Sequence, residues 1–139
     1  MARKIREIMT GSPVCVSPDV DLGQVARRMR DENIGDVLVT DGDTLRGVVT
    51  DRDLVVRCMA EGGDPSSTRV GDIASSADVT VGPDDDLGTA VHLMREKSVR
   101  RLPVVENGKP VGIVSIGDLA IERDEKSALA DISAASPNR

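Results

Sequence analysis

The sequence contains no phenylalanine, tyrosine or tryptophan among its 139 residues. A core without rings must be built from Val, Leu, Ile, Met and Ala, and a planar ligand would lie against aliphatic side chains instead of stacking on an aromatic face. Only two cysteines are present, Cys15 and Cys58. They are far apart and have neither metal nor redox spacing, which excludes a disulfide framework and suits a reducing compartment.

Long apolar runs and an excess of positive charge are also missing. No stretch approaches the roughly 20 apolar residues of a membrane span, and the N-terminus lacks the apolar core of a secretory signal, so we expect a cytoplasmic protein with no membrane partner. The formal net charge of -6 disfavours nucleic acid, because such partners are bound mainly by Lys and Arg on phosphates. The remaining composition, 39% hydrophobic and 30% charged, is typical of a globular protein.

An internal repeat is the main feature that the sequence does contain. Residues 5–55 align with residues 70–120 at a constant offset of 65 positions, without a gap and with fifteen identities among fifty-one positions. The pattern of each copy predicts a strand, an amphipathic helix, two strands joined by a tight turn, and a final helix. We therefore expect the first repeat at 1–63 with a short N-terminal helix, the second at 64–124, and a helix end with a polar tail at 125–139.

The long helix of each copy has a predicted start and a predicted buried face. Asp21 can cap the first helix, with Gln24 three residues later. Apolar residues at helical spacing predict the buried faces. They are Leu22, Val25, Ala26 and Met29 in the first copy, and Leu87, Ala90, Val91 and Met94 in the second. Cys58 and Met59 are expected in the core, and the Gly, Pro and Ser-rich residues 61–67 are expected to form a hinge between the halves.

Two short turns from strand to helix are the candidate functional segments. The first turn is residues 47–53 and the second turn is residues 112–118. Their shared residues are Gly47, Thr50 and Asp53 in the first turn, and Gly112, Ser115 and Asp118 in the second. A hydroxyl followed three residues later by an acid predicts a helix capping box. The same pattern suits a ligand, since glycine allows close backbone approach, helix starts favour anions, and a carboxylate can accept ribose hydroxyls.

Together these motifs resemble a pair of CBS domains, the regulatory unit called a Bateman module, from residue 5 to about 122. The resemblance implies an α+β fold in which two β-α-β-β-α repeats pack with pseudo-twofold symmetry. It also implies that AMP, ADP, ATP or S-adenosylmethionine binds in clefts between the repeats, with ribose and phosphates on the two turns. Adenine would then lie against short apolar strands. The implied contacts are Val14, Cys15 and Val16 in one cleft, and Val79, Thr80 and Val81 in the other.

The two copies differ in charge beside the turns. Gly35 and Asp36 in the first copy correspond to Arg100 and Arg101 in the second. Two guanidinium groups can bind phosphate oxygens, whereas an aspartate repels them, so we predict unequal sites with the better one using Arg100 or Arg101. The alternative is that these arginines form surface ion pairs or a subunit contact. Arg52 faces either a phosphate or solvent.

No residue is predicted to be catalytic or to bind a metal. The acids at 84–86 are expected to cap a helix, and His92 falls outside the buried face of its helix. We therefore predict a regulatory sensor that is not an enzyme, with an adenine nucleotide or S-adenosylmethionine as its regulatory ligand and no required cofactor. The chain also resembles stand-alone hypoxic-response and stress proteins of this family. A homodimer is expected, an unidentified protein partner is compatible, and the alternative function is a ligand-free interaction module.

Overall fold

The computed structural model describes residues 3–123, which form two compact units. The first unit is Val14–Ala77, and the second unit combines residues 3–13 with residues 78–123. Each unit contains one sheet and one hydrophobic core. The N-terminal segment thus packs with the later part of the chain. The boundary predicted at 63/64 divides the two sequence repeats, whereas the compact units divide at 13/14 and 77/78. The predicted tail at 125–139 lies outside the described residues.

Residues 3–123 form seven strands and five helices. The strands are β1 (Thr10–Gly11), β2 (Cys15–Val16), β3 (Asp36–Asp41), β4 (Thr44–Thr50), β5 (Ser75–Ser76), β6 (Arg101–Glu106) and β7 (Lys109–Ser115). The helices are α1 (Leu22–Glu32), α2 (Asp51–Asp53), α3 (Val70–Ile73), α4 (Leu87–Lys97) and α5 (Ile116–Arg123). A 3-10 turn, Ile5–Glu7, precedes β1, and α2 continues as a π-helix, Leu54–Met59. This mixture of helices and sheets confirms the α+β fold class.

Each sheet contains one long hairpin, and the two hairpins have the same strand register. The order is β2-β3-β4-β5 in the first unit and β1-β7-β6 in the second, with only β2 and β3 running parallel among the described strand pairs. Val39 lies opposite Gly47 in the β3–β4 hairpin, and Val104 lies opposite Gly112 in the β6–β7 hairpin. The first and second turns therefore follow matching strands.

Both hairpin loops lie where the sequence predicts them. The first loop contains Gly42 with a φ of 62°, and the second contains Asn107 at 54° and Gly108 at 80°. Positive φ angles match the loop twist to that of the flanking strands, which is why Gly and Asn are favoured there. The predicted opening strand of the second copy, in contrast, is reduced to a single bridge between Val81 and Val104.

The starts of the two long helices differ. At α1 the backbone N–H of Gln24 donates to Asp21 Oδ1 over 3.0 Å, which confirms the predicted cap. This hydrogen bond is the main cause that lowers the pKa of the Asp21 carboxyl. Asp86 precedes α4 in the same way, but its side chain makes no capping hydrogen bond. The side-chain cap predicted for α4 is therefore wrong.

The other two acids before α4 have partners elsewhere. Asp84 Oδ1 accepts a 2.9 Å hydrogen bond from Arg6 Nε, and this bond is the largest cause that lowers the pKa of the Asp84 carboxyl. Asp85 Oδ2 accepts from the Gly82 N–H at 2.8 Å. Asp84 thus binds the N-terminal segment to the second unit, and Asp85 closes a local turn.

Two predictions about the core are also wrong. Ala26 is exposed on α1, because Leu22, Val25 and Met29 are sufficient to fill the buried stripe. Met59 is 69% exposed. Its segment is π-helical, and the wider turn rotates the last residues away from the positions that an α-helix would give them. Cys58 is buried, as expected.

The connector at 61–67 lies within the first unit and is not a hinge between the units. The Leu22 N–H donates to the Thr68 carbonyl at 3.0 Å, and the Gly23 N–H donates to the Pro65 carbonyl at 3.3 Å. The hinge prediction is wrong because these bonds bind the segment to the start of α1. Among residues 3–123, none of the helices combines the length and apolar character needed to cross a membrane.

Candidate functional site

Each turn forms a reciprocal capping box, as the sequence predicts. In the first turn the Thr50 N–H donates to Asp53 Oδ2 at 2.9 Å, and the Asp53 N–H donates to Thr50 Oγ1 at 3.1 Å. In the second turn the Ser115 N–H donates to Asp118 Oδ2 at 2.8 Å, and the Asp118 N–H donates to Ser115 Oγ at 3.1 Å. Both carboxylates are thereby fixed with the second oxygen, Oδ1, outside the box.

The glycines of the turns are required by the packing of a neighbouring strand. A Cβ added to Gly47 would lie 2.7 Å from the carbonyl oxygen of Ser75 in β5. A Cβ added to Gly112 would lie 2.8 Å from the carbonyl oxygen of Thr10 in β1. These distances are too short for any side chain, so packing alone accounts for both glycines. Their contact with a ligand stays a prediction.

A backbone hydrogen bond fixes each turn to the segment that leads into the preceding hairpin. The Asp51 N–H donates to the Gly35 carbonyl at 3.0 Å, and the Ile116 N–H donates to the Arg100 carbonyl at 2.9 Å. Arg100 is therefore adjacent to the second turn; its neighbour Arg101 begins β6 opposite Ser115. The structure thus brings the two predicted phosphate-binding arginines to the second turn. Arg100 is exposed, whereas Arg101 is half-buried.

The first turn has an acidic environment instead. Asp51 Oδ2 lies 3.2 Å from the position that a Cβ on Gly35 would occupy, so a carboxylate stands beside the residue that corresponds to Arg100. Asp36 follows at the start of β3. Asp51 is a residue that the sequence reasoning missed, although comparison at the 65-residue offset reveals it, because the matching residue is Ile116.

Arg52 is the one basic residue of the first turn. Its backbone N–H donates to Asp51 Oδ1 at 2.8 Å, which helps to close the turn. Its side chain is exposed and forms no ion pair within residues 3–123. The guanidinium thus projects from the first turn into solvent, where a phosphate contact stays a prediction.

The adenine contacts predicted in the first unit lie around β2. Val14 is half-buried, and its carbonyl accepts a 2.9 Å hydrogen bond from the Leu38 N–H. Val16 belongs to the hydrophobic core. Cys15 lies at the surface, and partial burial raises the pKa of its thiol. Cys15 therefore presents the most accessible side chain of the three.

The corresponding contacts in the second unit show the same alternation. Val81 is a core residue whose backbone bridges to Val104, Thr80 is exposed and Val79 is half-buried. The Val81 N–H and carbonyl are both used, by the Pro103 carbonyl at 3.1 Å and the Val105 N–H at 2.8 Å. Val16 and Val81 are buried, so little of either side chain reaches the surface, and their contact with adenine stays a prediction.

A surface cleft of about 570 Å³ lies in the second unit between α4 and α5. We call it the helix groove; it is lined by Val91, Met94, Arg95, Ser98, Val99, Arg100, Ile116, Leu119 and Ala120. Arg100 is the only predicted ligand contact among these residues. Ser115 and Asp118 do not line it, so the groove and the capping box are adjacent but separate features.

Two further residues distinguish the turns, and sequence reasoning missed both. Arg57 lies with its Nε 3.6 Å from Asp53 Oδ1. The residue 65 positions later is Glu122, which pairs with Arg3 at 2.7 Å. The signal for this reversal of charge was present in the repeat, but it lies just beyond residues 5–55, where the aligned segment ends.

The single histidine of the sequence lies at the surface. His92 Nε2 is 2.7 Å from Glu96 Oε2 on the exposed face of α4, in agreement with its predicted surface position. Within residues 3–123, no three His, Cys, Asp or Glu side chains are grouped to hold a metal ion. Cys15 and Cys58 do not form a disulfide.

Comparison with known families matches the chain twice. The CBS domain family matches residues 5–59 and residues 70–124. Each match contains one turn, and together they cover most of the sequence.

Individual proteins give the same result. YhcV, a CBS domain-containing protein of Bacillus subtilis strain 168, is 35% identical over 133 residues, which cover 93% of this chain and 94% of YhcV. The crystal structure of Hypoxic Response Protein I with two coordinated zinc ions matches with a TM-score of 0.77 and 34% identity, over 85% of this chain and 97% of that chain. The CBS domain pair of protein MJ0100, in complex with 5′-methylthioadenosine and S-adenosyl-L-methionine, has a TM-score of 0.81 over 91% of this chain and 100% of that chain. At 19% identity, this last likeness shows a shared fold.

Proposed function

The chain belongs to the CBS domain family, and we propose that it is a non-enzymatic cytoplasmic sensor of an adenosine-type ligand. Candidate ligands are AMP, ADP, ATP and S-adenosylmethionine, each acting as a regulatory ligand and not as a required cofactor. Proteins of this family are generally regulatory and not catalytic. Support comes from MJ0100, whose CBS pair holds two adenosyl compounds. Cys15 and Cys58 form no disulfide, which suits a reducing compartment.

The observation that carries the proposal is the set of groups at the second turn. The bond between the Ile116 N–H and the Arg100 carbonyl holds two adjacent arginines beside the capping box. Asp118 Oδ1 lies outside that box and can accept ribose hydroxyls. Arg100 and Arg101 can donate to phosphate oxygens. Positive charge beside a hydroxyl acceptor supports the binding of a nucleoside phosphate at the second turn.

Isothermal titration calorimetry with AMP and with uncharged adenosine tests the proposal directly. Binding of AMP in the micromolar to millimolar range is expected. Because the chain lacks Trp and Tyr, a strong absorbance at about 260 nm after gel filtration would also reveal co-purified ligand. If no absorbance is found and neither compound, ATP nor S-adenosylmethionine gives heat at millimolar concentration, the ligand proposal is wrong.

Arg100→Ala provides a sharper arm of the same experiment. Loss of one charge-assisted hydrogen bond should weaken AMP about tenfold, while adenosine, which has no phosphate, should change less than about twofold. Lys97→Ala is the matched control, because it removes one exposed positive charge from the end of α4. Equal losses for AMP and adenosine would contradict a phosphate role for Arg100.

A second candidate function, an interaction module that acts through dimerisation, is favoured by an exposed apolar surface. Val55, Val56 and Met59 are 51%, 40% and 69% exposed in the π-helix; we call them the helix patch. Exposed apolar clusters of this kind often mark interaction surfaces. In the second repeat the residue 65 positions after Val55 is Ala120, and Ala120 lines the helix groove.

We propose that the occupant of the helix groove is the helix patch of a second copy. Arg95 and Arg100 line the groove, and Asp51, one helical turn before Val55, can pair with them, although the exposed Arg52 and Arg57 lie on the same segment as the patch. In sedimentation experiments Met59→Glu should raise the dimer dissociation constant at least tenfold, since it would bury a charge. Ala26→Glu, on the exposed side of α1, is the control. A wild-type chain that stays monomeric at about 100 µM would overturn the dimer proposal.

A further inference from the structure

The carboxylate of the first turn already has a partner within its own unit. Asp53 is largely buried, with 15% of its side chain exposed. One oxygen, Oδ2, accepts the Thr50 N–H of the capping box. The other, Oδ1, lies 3.6 Å from Arg57 Nε, which is an ion-pair distance. Both oxygens of this carboxylate therefore face positive or N–H groups of the first unit.

Arg57 is held in this position from its other end. Its Nη1 donates a 2.9 Å hydrogen bond to the carbonyl oxygen of Ile73. Ile73 is the last residue of α3. The strand that follows, β5, pairs with β4, and β4 leads into the first turn. The Arg57 side chain is 49% exposed, but its guanidinium has two contacts, the carboxylate and the Ile73 carbonyl, and not the ion pair alone.

The second turn has the opposite arrangement. Glu122 occupies the position equivalent to Arg57, and Arg3 Nη1 donates to both of its oxygens, at 2.7 Å and 2.9 Å. Glu122 cannot neutralise Asp118. Among residues 3–123, no cation pairs with Asp118, whose carboxylate is bound by the Ser115 N–H of the capping box. Its outer oxygen therefore keeps its capacity to accept hydroxyl groups.

We propose that Arg57 is a built-in occupant of the first turn, where it takes the place of the ribose hydroxyls at Asp53. The chain then binds a single adenosyl ligand, at Asp118, while the first turn is closed by its own side chain. This inference rests on the proposed function and identifies which turn performs it. Arg57 is a specificity-determining residue because it removes one of two otherwise similar hydroxyl acceptors.

The charges around the first turn also determine what would bind if Arg57 were removed. Asp51, two residues before Asp53, keeps its carboxylate at this turn and repels phosphate. Uncharged adenosine supplies ribose hydroxyls without phosphate, so it is the compound that suits the opened turn. AMP should gain little, and this difference separates opening of the first turn from a general increase in affinity.

Equilibrium dialysis with radiolabelled adenosine and, separately, AMP measures the ligand bound per folded chain at saturation. Arg57→Met keeps the alkyl stem and removes the guanidinium; it should about double the adenosine bound and leave AMP unchanged. Arg57→Gln serves as a second variant if the first folds poorly by circular dichroism. Adding Asp53→Asn to Arg57→Met should abolish the gain.

Arg28→Met is the matched control, since it removes a guanidinium from an exposed pair with Glu32 in the same unit and should leave both ligands unchanged. If the wild-type chain binds AMP at a single site but the folded Arg57 variants bind no additional adenosine, the proposed role of Arg57 is wrong and the proposed function is unaffected. Two adenosines per wild-type chain would also contradict that role. A wild-type chain that binds neither compound would overturn the proposed function, whatever the variants do.

Discussion

The first and second turns have nearly the same backbone and opposite side-chain electrostatics. Each turn has a reciprocal capping box and a backbone bond to the segment before its hairpin. Beyond the box, the first turn continues into a π-helix with Arg57 directed at Asp53, whereas the second continues into α5 with Glu122 bound by Arg3. The same helix position thus holds a cation in the first unit, paired with the carboxylate of its own capping box, and an anion in the second unit, paired with the N-terminal segment.

This difference indicates which features the repeated fold requires and which it leaves variable. The capping boxes satisfy backbone N–H groups at a helix start, so any copy of the fold needs an equivalent solution. The ion pairs join different positions, because Arg57 pairs with Asp53 of its own turn and Glu122 pairs with Arg3. The charge at this helix position therefore differs between two copies of the same fold, and the difference changes what each turn's carboxylate can bind.

The largest effect is expected from shortening one core side chain just before each turn, which tests whether the two cores contribute equally to stability. Val49 and Val114 are fully buried in β4 and β7, just before the turns. Val49→Ala and Val114→Ala should each lower the free energy of unfolding by about 2 kcal/mol, through lost burial and a residual cavity. Urea unfolding followed by circular dichroism measures both, since the chain has no aromatic fluorophore. A large difference between the two variants would mean that the cores are not equivalent.

The features that were predicted correctly depend on local, repeated patterns. The capping boxes, the cap at Asp21 and the hairpin turns at Gly42 and Gly108 all follow from residue types at short fixed spacing. Duplication at one offset strengthened the prediction of the capping boxes, but it misled at Asp86, which aligns with Asp21 and makes no capping hydrogen bond. Similarly, the α+β fold follows from the order of apolar segments in the two copies.

The features that could not be predicted depend on contacts between distant residues. The exposure of Met59 follows from a π-helix, for which the sequence gives no local signal. Grouping of residues 3–13 with the second unit depends on long-range pairs such as Arg6 with Asp84. The pairing of Arg57 also requires the fold, because the Ile73 carbonyl that holds it lies 16 positions away.

A smaller effect is expected where the two long helices begin. Asp21→Ala should lower the thermal midpoint by about 3 °C, whereas Asp86→Ala should have almost no effect, because only Asp21 caps its helix. The pKa of Asp21 is lowered in the folded state, mainly by the Gln24 N–H. Its contribution is therefore present above the unfolded-state pKa and is lost as the pH falls through the folded-state value.

Thermal unfolding at several pH values between about 6 and 3 checks this assignment. The wild-type chain and Asp86→Ala should lose stability along parallel curves as the pH falls. Asp21→Ala should lose less, because the charged cap is already absent. Parallel curves for all three proteins would show that the Asp21 cap contributes nothing to the acid sensitivity.

The smallest expected effect concerns the glycines in the first turns of the same two helices. A Cβ on Gly88 in α4 meets no atom within 4 Å, so Gly88→Ala should raise the free energy of unfolding by about 0.5 to 1 kcal/mol through the lower entropy of the unfolded chain. A Cβ on Gly23 in α1 would lie 3.0 Å from Asp21 Oδ1, the oxygen that caps the helix. Gly23→Ala should therefore gain less or lose stability, as measured by urea unfolding at neutral pH. In the Asp21→Ala background that penalty should disappear and Gly23→Ala should stabilise like Gly88→Ala; if it does not, the cap is not what distinguishes the two helix starts.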